Sequence, residues 1–401
     1  MEVKIEKLDN FGRGITYIND KICFVENALD GEIVDIEIIT DKKKYQEAKV
    51  RKHLKISDKR IKEDCPFSKI CGGCNISHMN YSDENEFKKE KVKQLVEKYT
   101  SVNSSLVEDI EFNERNNYRN KIVLHGKNKK LGLYKKLSND IVEVDKCILV
   151  DNKINGIIKV LNRINKDIKE VTIKITNDGK EIMVDIKGEV SDICELINTV
   201  DVLILNNEYL SGKRQIINPI GNKKYYESNE SFFQVNKTLT EKLYDEALKV
   251  VKESNPNNVL DLYCGTGTIG IYVSDYCKKI IGVDYNKSNI DDANKNIELN
   301  NCNNIEFICD KVENQIDKFD NIDIVIVDPP RAGLDSKTKD YLKKINSEKI
   351  IYISCDPVTL VRDINDLENS YQVQFIKPFN MFPRTYHVEC VCLLEKKWFI
   401  I

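Results

Sequence analysis

Cys355 closes the apolar run Ile350-Ile351-Tyr352-Ile353-Ser354 and is followed by Asp356-Pro357, which puts a thiol at the end of a strand. Strand ends are where an open α/β sheet presents its ligands, so this position reads as a nucleophile. The plainer alternative is one buried free thiol among thirteen cysteines. Asp328-Pro329-Pro330-Arg331 follows a second predicted strand, Ile322 to Val327, and Asp261-Leu262-Tyr263-Cys264-Gly265-Thr266-Gly267-Thr268-Ile269-Gly270 carries a glycine-rich turn. Glu389, in His387-Val388-Glu389-Cys390-Val391, is an acid in an otherwise apolar closing strand. Burial raises the pKa of such a carboxyl and suits it to proton transfer. His387 is its rival, expected on the same strand face two residues away.

Such a set could alkylate a pyrimidine. Carbon 5 of uracil is a poor nucleophile, but a thiolate that adds to carbon 6 makes an enolate whose carbon 5 can attack a methyl sulfonium. A base must then take the carbon 5 proton before the thiol can leave. Gly265, Gly267 and Gly270 stand after a predicted strand and before a predicted helix, the context a nucleotide-binding turn requires. Asp284, 19 residues beyond Gly265, ends the next strand where an acid holds ribose hydroxyls. Asp310, ending Phe307-Ile308-Cys309, either reaches an adenine amino group or is a surface aspartate. NAD and S-adenosylmethionine share this arrangement, so the turn alone leaves a dehydrogenase open. Asp-Pro-Pro followed by an aromatic resembles the arrangement in enzymes that methylate exocyclic amines; Arg331 stands there instead, with planar donors suited to a carbonyl or phosphate.

At 401 residues the chain is long enough for two or three domains. Its net charge of −3 advertises no polyanion partner overall, so any nucleic-acid surface must be local. Lys42 to Lys62 holds ten Lys or Arg against Glu47 and Asp58, and Arg115 to Lys136 holds eight with no acid; each is a phosphate-binding surface or a solvated face. No apolar stretch approaches the ~20 residues a membrane span needs, and Met1-Glu2-Val3-Lys4 runs into strand-like sequence, so a soluble cytoplasmic protein with reduced thiols is expected.

Alternating segments Val3 to Lys7, Gly14 to Ile18, Lys21 to Val25, Glu32 to Ile39 and Tyr45 to His53 predict a small OB-like β-barrel. A charged helix is expected from Ser82 to Tyr99. The next segment reads as an α+β domain with strands Ile122 to Leu124, Leu131 to Tyr134, Glu170 to Thr176, Glu181 to Lys187 and Val202 to Asn206, and a helix from Asp151 to Asn165. From about Lys237 onward strand and helix alternate, which predicts a mostly parallel doubly wound, Rossmann-like sheet. Cys65-x5-Cys71-x2-Cys74 offers three soft ligands in ten residues, short of the paired Cys-x2-Cys that zinc often takes. Cys23, Cys194, Cys264, Cys277, Cys302, Cys309, Cys390 and Cys392 read as small buried hydrophobes.

Taken together, Ser231 to Asn236, Asp261 to Gly270, Asp328 to Gly333, Ser354 to Pro357 and His387 to Glu389 resemble the RNA 5-methyluridine methyltransferases, most closely the ribosomal branch that carries an iron-sulfur cluster. The resemblance covers almost the whole chain. It implies residues 1–56 as an RNA-binding TRAM domain, 57–227 as a central domain with the iron-sulfur motif, and 228–401 as the S-adenosylmethionine-dependent catalytic domain. Cys355 becomes the nucleophile and Glu389 the base. Gln234, Tyr263, Asp284 and Asp328, with Gly265, Gly267, Thr268 and Asp310, surround the methyl donor; Phe232 stacks near the target base, and Arg331 touches the uracil or its backbone. Cys147 joins Cys65, Cys71 and Cys74 around a [4Fe-4S] cluster, with zinc as the alternative. The implied partner is 23S ribosomal RNA, with transfer RNA next. An idle RNA-binding assembly protein on the same fold is the reading from another class.

Overall fold

The computed structural model describes residues 1–397. Three sheets organise the chain. The first has six strands, Glu2–Lys4, Lys7–Leu8, Gly14–Ile18, Lys21–Glu26, Ile33–Asp41 and Tyr45–Lys55, one more than expected because the first predicted strand divides at Ile5-Glu6. Ile5, Val25, Ala28, Val34, Ile36 and Ala48 alternate inward to make its core. Four of the ten cations in the basic run at its end are paired, among them Lys49 with Glu37, Arg51 with Asp35, and Arg60 with the buried Glu32 at 2.6 Å.

The second sheet has seven strands from Lys121–Lys127 to Glu208–Tyr209, covered by the helix Asn152–Ile164. Asp151 is this helix's cap, its side chain accepting from the Lys153 amide, which is why the helix begins one residue later than its periodicity implied. A separate hairpin, Ile216–Ile220 with Lys223–Glu227, carries no expectation from sequence. Its inward face includes Asn218, which donates to Glu227 at 3.0 Å, and a buried amide at a core position hides the two-residue period.

The third sheet carries the glycine-rich turn and the strand ends at Asp328 and Cys355. Its strands are β1 (Asn258–Leu262), β2 (Lys279–Asp284), β3 (Ile305–Cys309), β4 (Ile324–Val327), β5 (Lys349–Ser354), β6 (Tyr371–Phe379) and β7 (Glu389–Lys396), in the order 3-2-1-4-5-7-6. Strands β1 to β5 are parallel, and β7 inserts antiparallel between β5 and β6. The reversal at β1 between β2 and β4 is the topological switch point, where such sheets bind ligands.

The helix Tyr81–Tyr99 begins one residue before the expected Ser82 because Asn80 caps it, accepting from the Asp83 amide. It puts Val92, Leu95 and Val96 into the core shared by β1, β4 and β5, so an element preceding the central sheet in sequence belongs to the third sheet's core in space. Its other buried residues make a polar junction. Glu84 and Lys88 are fully buried and paired at 3.3 Å; Glu84 also accepts from Asn380, from the Arg384 amide at 2.8 Å and from Arg115 at 3.2 Å. Lys88 donates to Asn380 and to the Phe382 carbonyl at 3.0 Å. Removing Glu84 would leave the buried Lys88 and the half-buried Arg115 without their shared anion, a loss of about 3–5 kcal/mol by analogy with broken buried pairs. Glu84→Ala should therefore lower the urea midpoint strongly, whereas removing the exposed Glu143 that pairs with Lys130 should change it little.

Candidate active site and cysteine cavity

The register of β5 and β7 brings the thiol and the acid together. Ser354 pairs with Cys390, so the next residue of each strand, Cys355 and Glu389, lies across from the other at the sheet's carboxyl edge. Cys355 is half-buried, and Asp356 behind it caps the helix Pro357–Leu367 by accepting from the Val358 amide at 2.9 Å. Burial, then Glu389 and Asp328, push the Cys355 thiol up to about 12, with Arg331 opposing. Burial likewise raises Glu389 to about 8, Asp328 adding and Arg331 subtracting. His387 is not on the strand face expected of it: β7 begins at Glu389, and His387 lies in the preceding loop against Tyr386, ring centres 4.3 Å apart. Burial and nearby cations hold its pKa down at about 4.

Asp328 follows β4, with its carboxyl raised to about 7 by burial. The loop beyond it is tied to the helix after Cys355: Arg362 donates to the Ala332 carbonyl at 2.8 Å, and Asp363 accepts from the Leu334 amide at 2.8 Å. Gly333 has φ +75°, and a Cβ there would lie 2.5 Å from both Arg362 and Asp363. Arg331 thus projects from a fastened loop, exposed, with no side-chain hydrogen bond or ion pair among the described residues.

At the switch point Asp284 accepts from the Gly265 amide at 3.1 Å and from the Asn286 amide at 2.8 Å, tying β2 to the glycine turn. A Cβ on Gly265 would meet nothing within 4 Å, so this stretch of backbone is open to a ligand. Gly267 serves a different need: its Cβ would lie 2.2 Å from the ring of Phe307, so its bareness admits a side chain of the protein. Tyr263 holds a left-handed φ of +63° and donates its hydroxyl to Asp335 at 3.2 Å. Thr268 meets the hydroxyl of buried Tyr244 at 3.0 Å, and Asp310 is engaged by Asn314 at 2.9 Å and by Gln315. Gln234 is buried, while Phe232 is 62% exposed beside the buried Phe233. Asp261 lacks a role in the sequence reading, yet it is fully buried, accepts from the Gly270 amide at 3.1 Å through one oxygen, and leaves the other without a partner. Its carboxyl is raised to about 8, chiefly by burial.

Cys65, Cys71, Cys74 and Cys147, up to 82 residues apart, line one cavity of about 260 Å³ with Arg119 and Lys146. The loop is pinned to the central sheet by the Gly72 amide on the Tyr134 carbonyl at 2.9 Å. Asn155 brackets the Cys147 backbone, accepting from its amide at 2.8 Å and donating to its carbonyl at 3.0 Å. Among the described residues no three His, Cys, Asp or Glu side chains converge tightly enough to hold a single ion. Cys194 and Cys309 are exposed, against the expectation of burial; both stand at the edge of an element, where a small side chain meets solvent without cost.

Arg384 is the residue that sequence reading missed. It is 1% exposed with φ +68°, donates to both oxygens of Asp64 at 2.8 and 2.9 Å and to Asn116 at 2.7 Å, and offers its carbonyl to the amides of Asn75 and Ile76. An arginine between Pro383 and Thr385 ahead of an apolar strand was the available signal. It straps the segment before Glu389 to the cysteine loop.

The strand order and open glycine turn define a methyltransferase-type α/β enzyme. The model of the tRNA (uracil-5-)-methyltransferase family matches residues 195–397, and that of the TRAM domain matches residues 1–50. An uncharacterized RNA methyltransferase of Clostridium tetani is 34% identical over 96% of this chain and 93% of its own; one from Staphylococcus aureus N315 is 31% identical over 97% and 96%. The Pyrococcus abyssi tRNA (uracil-54, C5)-methyltransferase bound to S-adenosyl-L-homocysteine superposes with a TM-score of 0.80 at 25% identity, over 98% of this chain and all of that one. The chain belongs to the RNA uracil-5-methyltransferase family. No helix among the described residues is long and apolar enough to cross a membrane.

Two buried carboxyls, Asp261 and Glu389, and the half-buried Asp328 hold protons that the unfolded chain releases near pH 4. The native state therefore binds more protons between about pH 4.5 and 8 and loses stability as pH rises through that window. The melting temperature should fall from about pH 5 to about 8, and Glu389→Gln should flatten that slope; an unchanged slope would refute the burial of this proton.

Proposed function

We propose that the protein methylates carbon 5 of a uridine in 23S ribosomal RNA, with Cys355 bonded transiently to carbon 6 and S-adenosylmethionine as donor. The observation that carries this reading is the β5–β7 register, which sets a thiol beside a buried acid at the ligand edge of the sheet. The open backbone at Gly265 and the orphaned oxygen of Asp261 fit a polar cofactor at the switch point, with Gln234, Tyr263, Thr268, Asp284, Asp310 and Asp328 around it. When bound, S-adenosylmethionine supplies the electrophilic methyl group.

The chain's own groups carry the other steps. The thiol of Cys355, half exposed, gives its proton to solvent water; the sulfur adds to carbon 6, and the electron pair moves through carbon 5 to the uracil oxygen, where Arg331 offers planar donors. Carbon 5 takes the methyl group. Glu389, ionised, then removes the carbon 5 proton; the electrons restore the double bond and expel the thiolate. Phe232, exposed at the mouth, stacks on the base. A Glu389 that keeps its proton to about pH 8 must give it up first, and Arg331, which favours the ionised form, is the group placed to help.

The donor set at the cysteine cavity fits a [4Fe-4S] cluster held by Cys65, Cys71, Cys74 and Cys147. All four donors are thiols, the soft ligand set that iron-sulfur clusters take, gathered from the Cys65–Cys74 loop and from Cys147 at one cavity. Arg119 and Lys146 offset its negative charge. Such a cluster clamps the loop that Arg384 grips. Thirteen free cysteines fit a reducing cytoplasm. The cluster motif favours ribosomal RNA; the likeness to the archaeal enzyme favours a transfer-RNA uridine as the second reading.

With 5-fluorouridine-substituted ribosomal and transfer RNA as separate probes, the wild type should form a covalent complex on one of them, since fluorine at carbon 5 cannot leave as a proton. Cys355→Ala should form none, and an adduct in that variant would refute the nucleophile. On unmodified RNA, Glu389→Gln should accumulate methylated covalent RNA, whereas normal turnover would move the base to His387 or water. Anaerobic purification should give brown protein with about four irons per chain; zinc instead of iron would overturn the cluster.

A further inference from the structure

A row of stacked aromatic and cationic groups runs from the amino-terminal sheet to the segment before Glu389. Tyr45 lies edge-on to Phe24 at 6.0 Å, and Arg13 stacks over Phe24 at 4.4 Å and over Phe11 at 5.5 Å. Phe11 meets Tyr386 edge-on at 5.1 Å, and Tyr386 lies 4.3 Å from His387. The row joins two domains, and its end is two residues from the acid across from Cys355.

The row is built to stay in place and to face outward. Asp9 accepts from the amides of Phe11 and Arg13 at 2.9 and 2.8 Å and from the Arg13 guanidinium at 2.7 Å, locking the turn that presents Phe11. Gly12 has φ +75°, and a Cβ there would lie 2.4 Å from Ile76, so the turn sits hard on the cysteine loop. Buried Lys91 donates to the Tyr386 carbonyl at 3.1 Å and lies 5.4 Å from its ring centre. Yet Phe11 is 52% exposed, a large apolar ring held at the surface beside a catalytic mouth. The charge of Arg13 is already met by Asp9 and Glu47, so the row does not recruit phosphate. What it offers is π-faces, the chemistry by which proteins hold unpaired bases.

We propose that Phe11 and Tyr386 hold, by stacking, the nucleobase adjacent to the target uridine, so that the amino-terminal domain forms one wall of the catalytic mouth. This rests on RNA entering at Cys355. An unpaired neighbour is what such a wall selects: a base that remains in a duplex has no free face to give it. Phe11 and Tyr386 are positioning residues that act on the flanking nucleotide.

The test uses the full chain and RNA 12-mers with one central uridine, flanked on one side or the other by 2-aminopurine, whose fluorescence is quenched on stacking. One flanking position should be quenched by the wild type. Phe11→Leu, which keeps apolar packing against the turn, should lose the quenching and raise KM for RNA roughly 10-fold, in line with the loss of one base–aromatic stack. Its kcat and S-adenosylmethionine affinity should hold. Phe11→Trp should restore both quenching and KM, while Phe112→Leu, at an exposed aromatic away from the row, should alter neither. Equal quenching in wild type and Phe11→Leu, or none at either position in the wild type, overturns the proposal. Adduct formation with 5-fluorouridine 12-mers, followed in parallel, reports on the Cys355 chemistry separately; adduct without quenching refutes the wall alone.

Discussion

The carboxylate of Glu84 is the point on which the catalytic geometry rests. It is fully buried on the helix Tyr81–Tyr99, and around it gather Lys88, Arg115, Asn380 and the backbone of Arg384. A buried charge is tolerated only where its partners are complete, because the low dielectric that penalises an unpaired charge also strengthens every bond that satisfies it. The junction therefore has one arrangement at low energy. It determines where residues 380–388 run, and with them the start of β7, the residue that opens it, and the register that sets Glu389 opposite Cys355.

Around that register the site is deliberately short of compensation. Asp261, Asp328 and Glu389 lie near one another behind the sheet edge with few donors to share, so burial keeps them protonated toward neutrality and keeps the Cys355 thiol from ionising. Arg331 is the exposed cation that favours the ionised forms of both Cys355 and Glu389. Perturbed groups that cluster in a crevice mark chemistry more often than structure, and here the orphaned oxygen of Asp261 has no structural use.

The cysteine cavity and the catalytic crevice share Arg384. Its guanidinium holds Asp64, next to Cys65, and its carbonyl holds Asn75 and Ile76, next to Cys74. Ile76 in turn abuts Gly12 of the amino-terminal turn. A left-handed φ on an arginine is costly and persists only where surroundings over-determine it. Arg384 thus joins the segment before Glu389 to the cysteine loop, and the loop that gathers the cysteines is also part of the support for the acid.

Much of this was legible in the order of residues. Apolar runs ending in Cys, Asp or Asp-Pro-Pro mark strand ends, and Gly14–Ile18 begins and ends where periodicity put it, while the run from Ile322 to Val327 is strand only from Ile324, since burial in a sheet is written locally as alternation or as an apolar run. The spacing Cys65-x5-Cys71-x2-Cys74 singled out three thiols that the fold sets at one cavity. What the order of residues could not decide were the long-range pairings: β7 inserting antiparallel beside β5, Cys147 joining a loop 73 residues away from Cys74, and the helix Tyr81–Tyr99 entering the catalytic core. The hairpin at Ile216–Ile220 and the buried Arg384 went unread because polar residues in a core break the local pattern, and their partners lie far along the chain. Local chemistry named the groups; only the folded chain, through register and buried polar partners contributed from distant segments, determined which of them face one another.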